Sequence, residues 1–111
     1  MKGKYVRKLD QKGRMIIPTE WKIKDEVVVM YQNGYLVVME EDVWQDMYGI
    51  KNYEILDEAE RKKERELYSR CYQRKIDKGR RLRIGLLEDI KNNTVEVIGM
   101  GNLFEIHFPT R

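Results

Sequence analysis

The chain has 111 residues, of which 41% are hydrophobic, so it is long and apolar enough to form one compact domain. A single cysteine excludes an internal disulfide and a cysteine zinc finger. No apolar run approaches the roughly 20 residues that span a bilayer, so we expect a cytoplasmic protein with no membrane partner.

Positive charge is concentrated in two stretches, although the net charge is only +3. Residues 1–14 and residues 72–83 each hold six basic residues and one aspartate, a net +5 apiece, which leaves −7 for the rest. Clustered basic charge favours a polyanionic partner. The alternative interpretation is an ordinary solvated surface that pairs with the acidic remainder.

The first part of the chain predicts a β-rich unit. Residues 10–13 form a turn in which Gly13 can take a positive φ, and Pro18 ends the strand before it. Residues 19–23 are expected to form one short helical turn, and Asn33-Gly34 is a strong hairpin signal. Four runs have strand character: residues 5–9, 14–17, 26–31 and 35–39.

Two helices and a second pair of strands are predicted next. Residues 40–48 place apolar side chains on one face, and residues 54–71 form a helix whose middle is charged on all sides. Strands follow at residues 94–98 and 103–108, with residues 99–102 turning between them.

The chain contains an internal repeat. Tyr5-Val-Arg-Lys-Leu-Asp10 matches Tyr72-Gln-Arg-Lys-Ile-Asp77 at an offset of 67 residues, with four identities in six. The pattern predicts a first repeat at 1–39, a helical connection at 40–71 and a second repeat at 72–111. The same offset matches further residues: Arg14 with Arg81, Met15 with Leu82, Ile17 with Ile84, Gly34 with Gly101 and Leu36 with Leu103.

The segment Val6-Arg-Lys-Leu-Asp-Gln-Lys-Gly-Arg-Met-Ile-Ile-Pro18 resembles the signature of the AbrB-type transition-state regulators. That signature is an aspartate, two variable residues, Gly-Arg, and alternating apolar residues ending in Ile-Pro. The duplication, the helices between the copies and the ending Gly99-Met-Gly-Asn-Leu-Phe-Glu-Ile106 resemble the MraZ family in particular. The resemblance covers nearly the whole chain.

The resemblance implies a mainly β fold with short helices: a double-split (swapped-hairpin) AbrB-like β-barrel formed by two tandem repeats in one chain. It implies a bacterial transcriptional regulator, nucleoid-associated, that binds repeated short sites in double-stranded DNA. It also implies a homo-oligomer, as MraZ-like proteins assemble into rings.

Arginines and lysines near the two turns are the candidate DNA-binding residues. Arginine stays charged and offers planar, bidentate donors to phosphates and guanine edges. Arg7, Arg14 and Lys22 match basic positions of the family. The full set is Arg7, Lys8, Lys12, Arg14 and Lys22 in the first repeat, and Arg74, Lys75, Lys78, Arg80, Arg81 and Arg83 in the second.

Four residues are predicted to shape the loops: Asp10 and Gly13, with Asp77 and Gly79 in the second repeat. Asp10 is interpreted as capping its turn, because it lies among cations without a paired acid or histidine. In the second repeat the glycine comes one position early, and Gly85 stands where the first repeat has Pro18. An altered or silent second site is therefore the alternative for that loop.

Other function classes remain as alternatives. The degenerate second motif leaves open an oligomeric β-barrel scaffold that has lost DNA binding, and the single-unit relatives of the family leave open an antitoxin-like protein. The sequence has no nucleophile with a base, no metal cluster and no phosphate loop. We therefore expect no enzyme, no cofactor, no metal and no small-molecule substrate.

Overall fold

A computed structural model describes residues 1–84 and 93–109. It consists mainly of antiparallel strands with two short α-helices, which confirms the predicted mainly β class. In chain order the elements are β1 (Lys2–Lys8), β2 (Arg14–Ile16), β3 (Glu26–Gln32), β4 (Tyr35–Glu40), α1 (Glu41–Tyr48), α2 (Glu58–Ser69), β5 (Cys71–Lys75), β6 (Arg81–Arg83), β7 (Thr94–Met100) and β8 (Leu103–His107).

The short helix predicted at residues 19–23 is wrong. The chain makes a single turn there, closed by the Trp21 N–H donating to the Pro18 carbonyl at 3.1 Å. Trp21 is only 4% exposed, and its indole N–H donates to the Lys2 carbonyl at 3.2 Å. Burial of this ring against β1 decides the backbone path, which a local helical pattern does not show.

The second helix is shorter than the predicted 54–71. Asp57 accepts a hydrogen bond from the Glu60 N–H at 2.8 Å, and Glu60 accepts one from the Asp57 N–H at 3.1 Å, so a capping box starts the helix at Glu58. A 3-10 turn at Tyr53–Ile55 precedes it. Cys71 already belongs to β5, because it pairs with β3.

One of the two hairpin turns is shorter than predicted. Asn33 and Gly34 both have positive φ, as a tight two-residue turn requires. In the second hairpin only residues 101 and 102 turn, since β7 runs through Met100. Gly99 lies in the strand, where a side chain would collide with the backbone of Lys2.

The strands form a six-stranded antiparallel sheet in the order β1-β7-β8-β4-β3-β5 and a separate two-stranded ribbon, β2-β6. The hairpins β3-β4 and β7-β8 join neighbours in the chain. The other strand pairings among the described residues join one repeat to the other: β1 with β7, β2 with β6, β3 with β5 and β4 with β8.

The pairing relates the two repeats by an approximate twofold axis. Tyr5 in β1 lies opposite Val97 in β7, and Tyr72 in β5 lies opposite Val29 in β3. The first strand of each repeat thus packs beside the third strand of the other. Neither repeat completes its own part of the sheet.

The strand register corrects two of the sequence matches. Val29 faces Val38 in the first hairpin and Val97 faces Ile106 in the second, so the second hairpin follows the first by 68 residues. The segment before it is one residue longer than its counterpart, and Gly85 lies in that segment, outside the described residues. Two matches are therefore wrong by one residue: Gly34 with Gly101 and Leu36 with Leu103.

Two hydrophobic clusters lie on opposite faces of the sheet. The first fills the space between the inner face of the sheet and the ribbon, and its members include Leu9, Met15, Ile17, Leu82, Phe104 and Ile106. The second lies beneath α1 and contains Val28, Met30, Val37, Met39 and Trp44. Strands β3 and β4 are consequently buried on both faces.

Candidate nucleic-acid interface

The loop between β1 and β2 is held by the carboxylate of Asp10. One carboxylate oxygen, Oδ1, accepts from the backbone N–H groups of Lys12 and Arg14, each at 2.9 Å. The other oxygen, Oδ2, accepts from Arg14 Nε at 2.8 Å. The Gly13 N–H donates to the Asp10 carbonyl at 3.0 Å, and Gly13 has a φ of 72°. Asp10 therefore caps a tight turn and fixes Arg14.

The loop between β5 and β6 has the same hydrogen bonds. Asp77 Oδ1 accepts from the N–H groups of Gly79 and Arg81 at 2.9 Å, and its Oδ2 accepts from Arg81 Nε at 3.1 Å. The Arg80 N–H donates to the Asp77 carbonyl at 3.0 Å. The second loop is thus not altered by the shifted glycine.

Gly79, predicted to shape the second loop, contributes its backbone N–H to Asp77 Oδ1 but does not supply the left-handed residue of the loop. The left-handed position lies three residues after the aspartate, and in the second repeat Arg80 occupies it with a φ of 59°. Gly79 does not have a positive φ. Position relative to the capping aspartate decides which residue is left-handed, and a left-handed side-chain residue costs roughly 1–2 kcal/mol.

A pair of hydrogen bonds offsets this cost at Arg80. Its Nη2 donates to the carbonyls of Pro18 at 2.9 Å and Trp21 at 2.8 Å. These are the two ends of the turn that carries Trp21 into the core. The guanidinium of Arg80, a predicted DNA-binding residue, therefore binds carbonyl groups within the protein.

The ribbon presents four side chains on its outer face. Met15 lies opposite Leu82 at the centre of the ribbon, and both are completely buried beneath it. Because successive side chains of a strand point to opposite faces, the residues on either side of this pair face outward. They are Arg14 opposite Arg83, and Ile16 opposite Arg81.

Arg14 joins the two loops. Its Nη1 lies 3.6 Å from Asp77 Oδ2 while its Nε binds Asp10, so it contacts an aspartate of each repeat. The Arg14 side chain is 23% exposed, compared with 41% for Arg81. Like charges placed directly across a ribbon destabilise it, and these aspartates reduce the repulsion between Arg14 and Arg83.

These contacts favour the ionised form of both aspartates. Desolvation raises the pKa of Asp10, but hydrogen bonds from Arg14 and Lys12 and the charge of Arg14 outweigh it and leave the pKa below its ordinary value. For Asp77, the hydrogen bond from the Arg81 backbone is the largest cause of a lowered pKa. Both loops are therefore held by charged carboxylates at neutral pH.

Arg7 and Arg74 occupy equivalent places beside the ribbon. The Arg7 guanidinium lies 5.2 Å from the centre of the Tyr5 ring, and the Arg74 guanidinium lies 4.4 Å from that of Tyr72. Arg7 Nε also donates to the carbonyl of Ile16 at 3.0 Å. Arg74 Nε is buried with no partner among the described residues.

The predicted lysines divide into two groups. Lys12 and Lys78 are exposed in the two loops, and Lys22 is exposed directly after the turn that Arg80 holds. Lys8 and Lys75 follow Arg7 and Arg74 directly, so strand alternation turns them to the other face of the sheet. The structure does not bring Lys8 and Lys75 together with the ribbon.

We call the outer side of β2-β6 and its two loops the ribbon face. It carries five basic side chains, Arg14, Arg81, Arg83, Lys12 and Lys78, against the two carboxylates of Asp10 and Asp77. Sequence reasoning missed its apolar member, Ile16, which is 52% exposed. The alternation around buried Met15 would have indicated it.

Neither a metal site nor a membrane-spanning helix is found in the part of the chain that the structure describes. No three histidine, cysteine, aspartate or glutamate side chains come together there as a metal site. No helix among residues 1–84 and 93–109 has the length and apolar character needed to cross a membrane. In comparisons with known proteins, no family model matches the chain, and no curated protein matches it significantly.

Proposed function

We propose that this chain is a DNA-binding transcriptional regulator of the MraZ/AbrB type, without enzymatic activity, that contacts double-stranded DNA through the ribbon face. One observation carries the proposal. The two aspartate-held loops, 67 residues apart in the chain, meet on one ribbon and are joined by the contact of Arg14 with Asp77. Basic residues of both repeats therefore converge on a single surface.

The chemistry of the ribbon face suits a polyanion better than plain solvent exposure. Arg14 and Arg83 lie directly opposite each other, and Arg83 makes no ion pair within the described part of the chain. Double-stranded DNA would supply the missing negative partners, and arginine can bind either a phosphate or a guanine edge with two parallel donors. A two-stranded ribbon also has the dimensions to enter the major groove.

We extend the proposal to the fold. Pairing of each first strand with the third strand of the other repeat supports a double-split, swapped-hairpin barrel. The ribbon, whose buried side packs on the inner face of the sheet, would complete it. Both halves come from one chain, so the barrel needs no second copy.

A homo-oligomer that binds cytoplasmic, nucleoid-associated DNA is the form that we propose. On the outer face of β1 and β7, Val6 is 63% exposed and Met100 is 53% exposed, whereas α1 covers the corresponding face of the first half. Several ribbon faces on one assembly would engage repeated sites by effective concentration. Light scattering tests this, and Val6→Glu should separate the copies; a wild-type monomer would contradict it.

DNA binding is tested by fluorescence anisotropy across a salt series, with duplexes of random sequence. In the double variant Lys12→Ala/Lys78→Ala, two exposed loop charges are removed that make no ion pair among the described residues. The slope of log affinity against log salt concentration should become less steep by about 1.8, because each lost phosphate contact removes about 0.9.

The matched control removes two exposed lysines from α2, in the variant Lys62→Ala/Lys63→Ala. These lysines lie on the other side of the sheet from the ribbon, so the salt slope should remain that of the wild type. Absence of wild-type binding at low salt, or an equal loss in both double variants, would overturn the proposed function.

A further inference from the structure

The ribbon face departs from twofold symmetry at one pair of positions. Ile16 is the third residue of β2, and the equivalent third residue of β6 is Arg83. Their neighbours are alike in the two repeats, since Arg14 corresponds to Arg81 and both bind a capping aspartate. The difference between the two halves of the face is therefore one exposed isoleucine against one exposed arginine.

We propose that Ile16 and Arg83 determine sequence specificity, and that they make the DNA site of a single chain asymmetric. This inference rests on the proposed DNA-binding function. Ile16 would contact the methyl group of a thymine, and Arg83 would bind O6 and N7 of a guanine. The two residues would then determine the orientation of one chain on its DNA site.

The chemistry of the major groove supports this division. Thymine offers the only methyl group among the base edges there, and an isoleucine has no donor or acceptor with which to read any other edge. A guanidinium matches the two acceptors of guanine. The Ile16 side chain lies between Arg14 and Arg81 and is 52% exposed, and contact of its apolar surface with water is unfavourable. Burial of that surface against a methyl group would be favourable.

Ribbon geometry sets the spacing of the two bases. Ile16 and Arg83 occupy diagonal corners of the face, because Arg14 is opposite Arg83 and Ile16 is opposite Arg81. Diagonal neighbours on an antiparallel pair are about 7–8 Å apart. Base pairs are about 3.4 Å apart along the duplex, so the thymine and the guanine should lie about two steps from each other.

The backbone beneath the two corners also differs. Arg7 Nε donates to the carbonyl of Ile16, which ties that corner to β1. The equivalent bond would join Arg74 Nε to the carbonyl of Arg83, but Arg74 Nε has no partner among the described residues. The Ile16 corner is thus held by a bond that the Arg83 corner lacks.

The test is selection of binding sites from a random duplex pool, followed by sequencing, with the full chain and two variants. Ile16→Arg places arginine at both corners, and Arg83→Ile places isoleucine at both. Wild type should select an asymmetric core with thymine at one position and guanine about two steps away. Ile16→Arg should replace the thymine by guanine, and Arg83→Ile should replace the guanine by thymine.

Each change of preference should amount to about tenfold or more in relative affinity for the two bases, as expected for one bidentate contact. The matched control is Ile55→Arg, the same substitution at an isoleucine that is 76% exposed in the turn before α2. It should select the wild-type core. Thermal unfolding of all the variants shows that they are folded.

The outcomes separate this inference from the proposed function. If wild type and the Ile16 and Arg83 variants bind DNA but select the same core, or if the wild-type core is symmetric, the specificity inference is overturned and DNA binding stands. If none of the proteins binds DNA at low salt, the proposed function fails and the inference with it.

Discussion

The two halves of the sheet share an inner face but differ on the outer face. In the first half, Val28, Met30, Val37 and Met39 are buried beneath α1. Their equivalents in the second half, at an offset of 68 residues, are Glu96, Ile98, Glu105 and His107. The three polar residues among them make contacts with other polar side chains: Glu96 lies 3.1 Å from Lys4, and His107 lies 2.8 Å from Glu105.

This difference shows which parts of the repeat must be present in both copies for the fold to form. The apolar residues of the inner face and the ribbon strand must be present in both copies, because the two inner faces and the ribbon enclose one core. The residue types of the outer face depend on what covers that face, which is a helix in the first half and solvent or another copy of the chain in the second. Duplication has thus kept the shared core and the aspartate-held loops while the outer surfaces diverged.

The largest expected effect tests the outer faces directly. Met30→Ala should lower the free energy of unfolding by about 2–5 kcal/mol, because Met30 is 1% exposed and its loss leaves a cavity under α1. Ile98→Ala, at the equivalent partly exposed position, should cost about 1 kcal/mol. Urea unfolding measures both. Equal losses would show that the second outer face is also covered.

The loops give the next largest effect. Gly13→Ala should destabilise the protein by about 1–2 kcal/mol, because Gly13 has a φ of 72°. Gly79→Ala should cost less than this, about 0.5 kcal/mol, because Gly79 has no positive φ; a methyl group there would lie 3.1 Å from Arg81 Nε, which would have to shift by only a few tenths of an ångström. The same urea unfolding measures both variants. A large loss at Gly79 would contradict the assignment of Arg80 to the left-handed position.

Acid should weaken both loops alike. The pKa values of Asp10 and Asp77 are lowered in the folded protein, so their contribution to stability is present above the unfolded value of about 3.9. That contribution is lost as the pH falls through the folded pKa, because the unfolded chain binds more protons in this range. Unfolding free energies measured as a function of pH should therefore rise with pH around pH 4.

Substitution of the two carboxylates checks this assignment. Asp10→Asn and Asp77→Asn should each flatten the acid part of the pH profile, and by similar amounts, because the two carboxylates make equivalent hydrogen bonds. An unchanged profile in the double variant would contradict the prediction. A change in only one of the single variants would show that the loops are not equivalent.

The smallest effect is expected on the outer face of the second half. Lys4 and Glu96 are 61% and 44% exposed, and exposed ion pairs contribute about 0–1 kcal/mol. A double-mutant cycle with Lys4→Ala and Glu96→Ala measures the coupling, which should disappear at about 1 M salt. A larger coupling that persists in salt would indicate that this face is buried in an assembly.

Much of the local structure could be predicted from the residues themselves. The Asn33-Gly34 turn, the helix from Glu41 and the strand-forming runs follow from chemistry that acts over a few residues. The failures lie where distant contacts override it. Trp21 is drawn into the core in place of a helical turn, and the second loop takes its left-handed residue at Arg80 although the glycine is at 79.

The candidate site could be predicted in composition but not in arrangement. Both basic clusters are visible in the sequence, yet only the strand pairing brings Arg14 next to Asp77 and turns Lys8 away from the ribbon. Arg80 could not be separated from its neighbours, because its partners at Pro18 and Trp21 lie about sixty residues earlier.

The sequence by itself determined the duplication, the mainly β class and the capping aspartates, because repeats, alternation and short-range hydrogen bonds leave a local signature. Only the tertiary structure decided that each repeat lends its first strand to the other and that the two loops share one ribbon. Pairing between strands far apart in the chain depends on burial of a common core. No short stretch of residues records that burial.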